Sequence, residues 1–313
     1  MLDAGVARDL ANSDKRIVIT GAGGWLGLAT LDSLSAALGP AFTSRVLAFG
    51  SAARALTLRD GTVVEQRPLA ELRDLSPMPT WVLHFAFLTK DRAETMDEAE
   101  YRAANVQIRG TVLAALDGIG AEAVFVASSG AAYKAQDPAA TPGMQLYGEL
   151  KAQDEAAFAA WGEQANRRVV IARVFNVTGP YINKHQAYAL ASFILDGLAG
   201  GPITVRAPRQ VVRGYVAIDE LMSLAFAEMA TARQGIIRFD TGGEPLELGE
   251  VANVVAAQFE NVSVERAEIT QEVADTYHGD PEAYHQALVR HGLTRQPLAD
   301  QVAKTIDYLR GGQ

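Results

Sequence analysis

The stretch RIVITGAGGWLG, Arg16 to Gly27, decides how the rest of the chain is read. Arg16–Thr20 is a short β-branched run, the pattern of a strand buried on both faces. Gly21, Gly24 and Gly27 follow at once, and from Trp25 to Leu38 the sequence reads as a helix ended by Gly39-Pro40. A glycine turn between a strand and a helix has a specific use. The first glycine permits a tight turn, and the second lets backbone N–H groups approach a pyrophosphate. The third lets the helix pack close to the sheet with its positive end toward phosphate. Trp25 and Leu26, inside the turn, are expected to face the same phosphates through their backbone.

Working outward, short apolar runs alternate with alanine-rich helical patterns. Arg45–Phe49, Trp81–Phe87, Ala123–Ala127, Arg168–Phe175 and Gly235–Phe239 read as strands. Asp60-Gly61 marks a turn between short β segments within Thr57–Gln66. Ala93–Gly118 and Gln145–Gln164 read as long helices. Shorter helices are expected near Ala187–Leu198, Glu247–Phe259 and Pro281–His291. The alternation predicts an α/β fold, a doubly wound parallel sheet of Rossmann type with a smaller interleaved α/β lobe. The expected division is a dinucleotide-binding domain over 1–175, with a contribution from about 211–245, and a mainly substrate-binding lobe over 176–313.

The bulk numbers narrow the chemistry. At 313 residues, 49% hydrophobic and 21% charged, the chain can bury a large core. A net charge of −9 argues against nucleic-acid or anionic-membrane partners. Without cysteine there is no disulfide, thiolate nucleophile or zinc–thiolate site. The five histidines (His84, His185, His278, His285 and His291) lack metal-binding spacing, so no metal is expected. No signal-type apolar core opens the chain, and WVLHFAFL (81–88) is too short to span a bilayer. A cytoplasmic protein is the expectation.

The end of the second strand bears on the cofactor. A site for NAD usually places Asp or Glu there to accept from the ribose 2′-hydroxyl. Here the sequence runs Phe49-Gly50-Ser51-Ala52-Ala53-Arg54, without a carboxylate. Ser51 can donate to a 2′-phosphate and Arg54 can pair with it. NADP(H) is therefore preferred, with NAD(H) possible.

Tyr147 and Lys151 are four residues apart, hence on one face of the predicted helix. A nearby ammonium favours the phenolate and brings the phenol toward working pH. That suits a proton donor or acceptor in hydride chemistry. Ser129 ends the strand AVFVASS, on the rim where open α/β sheets hold ligands. Its hydroxyl can bond a substrate oxygen beside the tyrosine, while Ser128 faces the core.

In these motifs the chain resembles the extended short-chain dehydrogenase/reductases, the NAD(P)-dependent epimerase/dehydratase group. The likeness rests on TGAGGWLG (20–27), VLHFAF (82–87), AANVQIRGT (103–111), VFVASSGAAY (124–133), YGELK (147–151), RVFNVTGPY (173–181) and VVRGYVAIDEL (211–221). The resemblance implies Tyr147 as acid/base, Lys151 as holder of the nicotinamide ribose and tuner of the tyrosine, and Ser129 as the group that polarises the reacting oxygen. It places Ala86 against the cofactor through its backbone and makes Asn105 a supporting polar residue. It assigns Asn176 and Arg213 to a nucleotide diphosphate. It also implies a nucleotide-sugar substrate and a homodimer through helices 93–118 and 145–164. In the polar loop YINKHQAYA (181–189), Lys184 and His185 are candidates to touch a sugar or phosphate, and Lys90 to approach cofactor or substrate.

The departures are informative. Sugar 4,6-dehydratases carry Asp-Glu after the catalytic hydroxyl residue, whereas Gly130 and Ala131 stand here. Epimerisation that uses a cysteine is likewise unavailable. The segment AEITQEVADTYHGD (267–280) lacks the arginine of a standard UDP-sugar clamp. The expected activity is NADP(H)-dependent reduction of a keto group on a nucleotide-linked deoxysugar. An epimerase with transient oxidation is the alternative, and a non-catalytic NADP(H)-binding regulator is the alternative of another class.

Overall fold

Arg16–Thr20 forms the strand β1, every residue of it buried, and the first sheet is built around it. The computed structural model describes residues 1–231 and 234–311. Residues 232–233, within the expected contribution at about 211–245, and 312–313, at the end of the expected lobe, lie outside the described residues. The chain divides into two compact units, Met1–Val174 with Met222–Phe239, and Phe175–Leu221 with Asp240–Gln313.

In the first unit β1 is followed by β2 (Val46–Gly50), β3 (Arg54–Thr57), β4 (Val63–Pro68), β5 (Thr80–His84), β6 (Ala121–Ser129) and β7 (Arg168–Val174). With the strand Gly235–Asp240 they make an eight-stranded sheet in the order Gly235–Asp240, β7, β6, β5, β1, β2, β4, β3. Pairing is parallel from β7 through β4, and only the β3–β4 hairpin is antiparallel among these pairs. The strand order reverses at β1, between β5 and β2. The carboxyl ends there are where sheets of this type open a crevice for ligands. Val18, Val82, Val124 and Ile171, one from each of four central strands, belong to the same buried cluster. Each such side chain contributes about 1.5–3 kcal/mol by burial.

Several expected elements have different bounds. The long helix predicted over 93–118 is two helices, Lys90–Thr95 and Glu98–Leu116. Met96 is extended between them, and the Asp97 side chain caps the second by accepting from the N–H groups of Ala99 and Glu100. The strand expected to reach Phe87 stops at His84. The helix containing Tyr147 begins earlier, at Pro142, with the Thr141 hydroxyl accepting from Met144 N–H. Gly39, at φ 51°, ends the helix Trp25–Leu38.

The second unit centres on the strand Arg209–Ala217. It pairs antiparallel with Pro245–Glu247 and parallel with Gln271–Tyr277, and its carboxyl end pairs parallel with Asn176–Thr178. A separate pair joins Ile203–Val205 to Val264–Arg266. The helices Ala189–Leu198, Leu248–Ala256, Pro281–Val289 and Leu298–Gly311 complete it. Beside the excursion expected at about 211–245, the segment that clusters with the first unit is Met222–Phe239. The residues before it are hydrogen-bonded into the second unit's own sheet.

Candidate active site

The glycine turn is shaped by close backbone approaches. Ala22 N–H donates to the Phe49 carbonyl at 3.0 Å, and Gly24 N–H to Gly21 at 3.0 Å. Gly21 has φ 72°, and a Cβ there would stand 2.6 Å from the Ala86 nitrogen. A Cβ on Gly27 would be 2.5 Å from the carbonyl oxygens of both Gly21 and Ala22. No side chain caps the helix Trp25–Leu38, whose N-cap is Gly24. The result is a backbone cradle, at the positive end of a 14-residue helix, that any side chain would fill. A dinucleotide pyrophosphate fits such a cradle. The Trp25 indole is buried in packing, and Leu26 and Gly27 continue the first turn of the helix.

Ala86 lies against Gly21, in the segment that leaves β5. That segment is fixed from Glu98–Leu116. The Asn105 amide accepts from Leu88 N–H at 2.9 Å and donates to the Tyr101 carbonyl at 3.1 Å, and the Tyr101 hydroxyl donates to the Leu88 carbonyl at 2.6 Å. Asn105 is 1% exposed. It holds the loop that presents Ala86, rather than reaching outward itself. Ser51 is exposed just beyond β2. Arg54 opens β3, and its guanidinium donates to the Gly23 carbonyl at 3.1 Å.

Ser129 ends β6, and the helix that carries Tyr147 and Lys151 packs against the segment that follows it. The packing is close at Gly148, where an added Cβ would overlap the Ala131 carbonyl oxygen. The Ser129 hydroxyl accepts from Ala131 N–H at 3.1 Å, so it flanks the same contact. Lys151 Nζ donates to the Ala127 carbonyl at 2.8 Å and lies 3.8 Å from the Phe87 ring centroid. Phe87 meets the Tyr147 ring edge-on, with centroids 5.6 Å apart. The ammonium is 6.0 Å from the Tyr147 ring centroid. Lys151 is 6% exposed, and burial pushes its pKa down to about 8 against the opposing pull of Asp154 and Glu155.

Beneath the lysine runs a charged layer that the sequence reading missed. Asp154 takes Arg109 at 3.0 Å, and its other oxygen is 3.9 Å from His84 Nε2. His84 Nδ1 shares a 2.8 Å hydrogen bond with Thr20. Burial lowers the His84 pKa to about 3, so the ring is neutral at physiological pH. Glu155 accepts from Ser128 and receives two bonds from Arg173, at 2.9 and 2.8 Å. Arg173 in turn stacks 4.5 Å over the Tyr133 ring. Asp154 and Glu155 stand three and four residues after Lys151, which is the signal that could have found them. Lys90 is exposed, 3.6 Å from Glu94 on its own helix.

The other predicted residues belong to the second unit. Asn176 Nδ2 donates to the carbonyls of Gly214 and Tyr277, at 3.2 and 3.1 Å, and so ties three strands together. Arg213 pairs with Asp275 at 2.8 Å and also donates to the Asp275 carbonyl at 2.9 Å. Lys184 is exposed in the left-handed region (φ 57°), and His185 Nε2 is 2.9 Å from the Ile182 carbonyl. Among the described residues no cluster of His, Cys, Asp or Glu is arranged to hold a metal ion, and no helix is long and apolar enough to cross a membrane.

Comparison with known proteins bears on the family and the fold. Residues 17–238 match the model of the NAD dependent epimerase/dehydratase family. Solved structures share the fold over nearly the whole chain. A UDP-N-acetylglucosamine 4-epimerase from Methanobrevibacter ruminantium, in complex with UDP-N-acetylmuramic acid, is 17% identical with a TM-score of 0.74, over 96% of this chain and 100% of that one. The UDP-glucose 4-epimerase of Thermus thermophilus, in complex with NAD, is 22% identical with a TM-score of 0.70, over 95% and 100%. The UDP-glucuronic acid 4-epimerase of Bacillus cereus, in complex with UDP-glucuronic acid and NAD, is 17% identical with a TM-score of 0.68, over 95% and 100%. No curated protein sequence matches the chain. With well over half of its length under the family's model, the chain belongs to the NAD-dependent epimerase/dehydratase family.

Proposed function

We propose that the protein is an enzyme that inverts a hydroxyl-bearing carbon of a nucleotide-linked sugar by transient oxidation. The observation that supports this reading is that the helix bearing Tyr147 and Lys151 packs at the end of β6, where Ser129 stands: Lys151 bonds the Ala127 carbonyl and Gly148 lies against Ala131. A bound dinucleotide supplies a hydride acceptor and donor. Tyr147 takes the proton of the substrate hydroxyl and returns it after the carbonyl has presented its other face. Lys151 holds a positive charge near the phenol and favours its ionised form. Ser129 bonds the same oxygen in both states. The nucleotide-sugar class is supported by what the structural neighbours bind. Gly130 and Ala131 offer no acid or base for water elimination, which weighs against a dehydratase.

A second reading is net reduction of a keto sugar by NADPH. It is favoured by Arg54 beside the glycine turn and by the missing carboxylate after β2, both of which suit a 2′-phosphate. The reading includes a nucleotide diphosphate held by Asn176 and Arg213, sugar or phosphate contacts from Lys184 and His185, and a homodimer through Glu98–Leu116 and Pro142–Gln164.

The test is to incubate the protein with a panel of nucleotide hexoses and either cofactor, following nicotinamide absorbance and the sugar by NMR. An epimer that appears without net cofactor change supports the first reading; one NADPH consumed per product supports the second. Tyr147→Phe should lower turnover by about 10²–10⁴-fold while cofactor binding survives. Unchanged turnover in that variant overturns the assigned role.

A further inference from the structure

The exit of β2 is closed by a residue from another strand. A Cβ on Gly50 would overlap the side-chain amide of Gln66, on β4. That amide is pinned at both ends. Its Oε1 accepts from Gly23 N–H at 3.0 Å, and its Nε2 donates to the Ala52 carbonyl at 2.7 Å. Gln66 is 3% exposed, so the volume beside Gly50 is filled by a packed, hydrogen-bonded side chain. Arg54 is the direct register partner of Gln66 in the β3–β4 hairpin, and its guanidinium lies where a Cβ on Gly23 would stand. The next residue of β4, Arg67, stacks 5.3 Å over Phe49 and pairs with Glu71 at 2.9 Å. The hairpin thus brings a neutral amide and a cation to the place where an NAD site commonly has a carboxylate.

We propose that Gln66 determines which dinucleotide the protein takes: it excludes any side chain at position 50 and seats Arg54 beside the glycine turn, so that the adenosine ribose is accepted with a 2′-phosphate. This rests on the NADP(H) reading above and deepens it. An aspartate introduced at position 50 collides with the Gln66 amide, and the collision also disturbs the Gly23 N–H that the amide holds. Removing the glutamine side chain opens the space and leaves an introduced carboxylate free to accept from a ribose hydroxyl. That carboxylate would also repel a 2′-phosphate.

The experiment measures equilibrium binding of NADPH and NADH by calorimetry, with melting temperature alongside, for the wild type, R54A, G50D, Q66A and the G50D/Q66A double variant. The wild type should favour NADPH. R54A should lose about 10–100-fold of NADPH affinity and little of NADH affinity, the size of a charge-assisted hydrogen bond. G50D alone should melt lower and bind both cofactors poorly. The double variant should regain the melting temperature of Q66A and favour NADH. A G50D protein that melts like wild type and gains NADH binding with Gln66 in place overturns the role of Gln66. A wild type that binds NADH more tightly overturns the NADP(H) reading itself, and the two failures are distinguishable because neither measurement requires turnover.

Discussion

Gly148→Ala is the smallest change that should separate the proposed catalytic groups. The new methyl would overlap the Ala131 carbonyl oxygen and stand 3.0 Å from the Ala131 carbonyl carbon and 3.2 Å from the Ala135 nitrogen. Comfortable carbon–oxygen contacts begin at about 3.3 Å. All three neighbours are backbone, so no side chain can rotate out of the way. The helix Pro142–Gln164 must retreat from the segment Gly130–Lys134 by on the order of 1 Å. Overpacking of this kind costs about 1–3 kcal/mol of stability, a fall in melting temperature of about 2–4 °C per kcal/mol for a body this size. The retreat carries Tyr147 and Lys151 with the helix while Ser129 stays on β6. A misplacement of about 1 Å is enough to lower turnover about 10²-fold. Thermal melting and steady-state kinetics on the identified substrate read the two effects independently. An alanine variant that melts and turns over like wild type would refute the claim that this contact sets the site. One that melts lower but keeps full turnover would show that Ser129 and Tyr147 move together.

Two further predictions concern the buried charges. Lys151 has its folded-state pKa lowered by burial to about 8 from the usual 10.5. Between those values the unfolded chain binds a proton that the folded chain has released, so stability rises with pH across the window, and the burden is fully present below pH 8. The stabilisation of Lys151→Met relative to wild type should therefore shrink from about pH 8 to about pH 10.5; a pH-independent difference would sink the argument. Asp154→Asn leaves Arg109 without its carboxylate. Denaturant unfolding should show a loss of about 3 kcal/mol, at the low end for a broken buried pair because Arg109 keeps some contact with water. Arg109→Met with Asp154→Leu should recover most of it, and a neutral single variant would mean the pair is not buried in solution.

What was legible in the sequence was local or periodic. The strand–glycine–helix run at Arg16–Leu38 and the apolar central strands carry their own signals, because a strand covered on both faces has few alternatives. The Tyr147–Lys151 spacing likewise implies a shared helix face. The break at Met96-Asp97 was hidden because the helical pattern resumes in phase enough to mask a cap. Arg209–Ala217 and Gln271–Tyr277 were missed for another reason. Their outer residues are solvent-exposed and polar, so neither presents a continuous apolar run. The Arg109–Asp154 pair and the Gln66 plug depend on elements distant in the chain, and no spacing rule reaches that far. Asn105 shows a different case: its side chain is spent on the backbone of Leu88 and Tyr101, a partnership that its sequence neighbours do not announce.

The strand Gly235–Asp240 neighbours β7 in the sheet, yet the chain between them builds part of the other unit. Domains usually finish in the order in which they are synthesised, but here the body that begins at the amino terminus waits for a strand that follows part of the other unit. Until residue 240 has left the ribosome, β7 presents an open row of N–H and carbonyl groups, the kind of edge that recruits foreign strands. A fragment stopped at Val174 would keep that edge permanently, so the half that carries the glycine turn is not an excisable module.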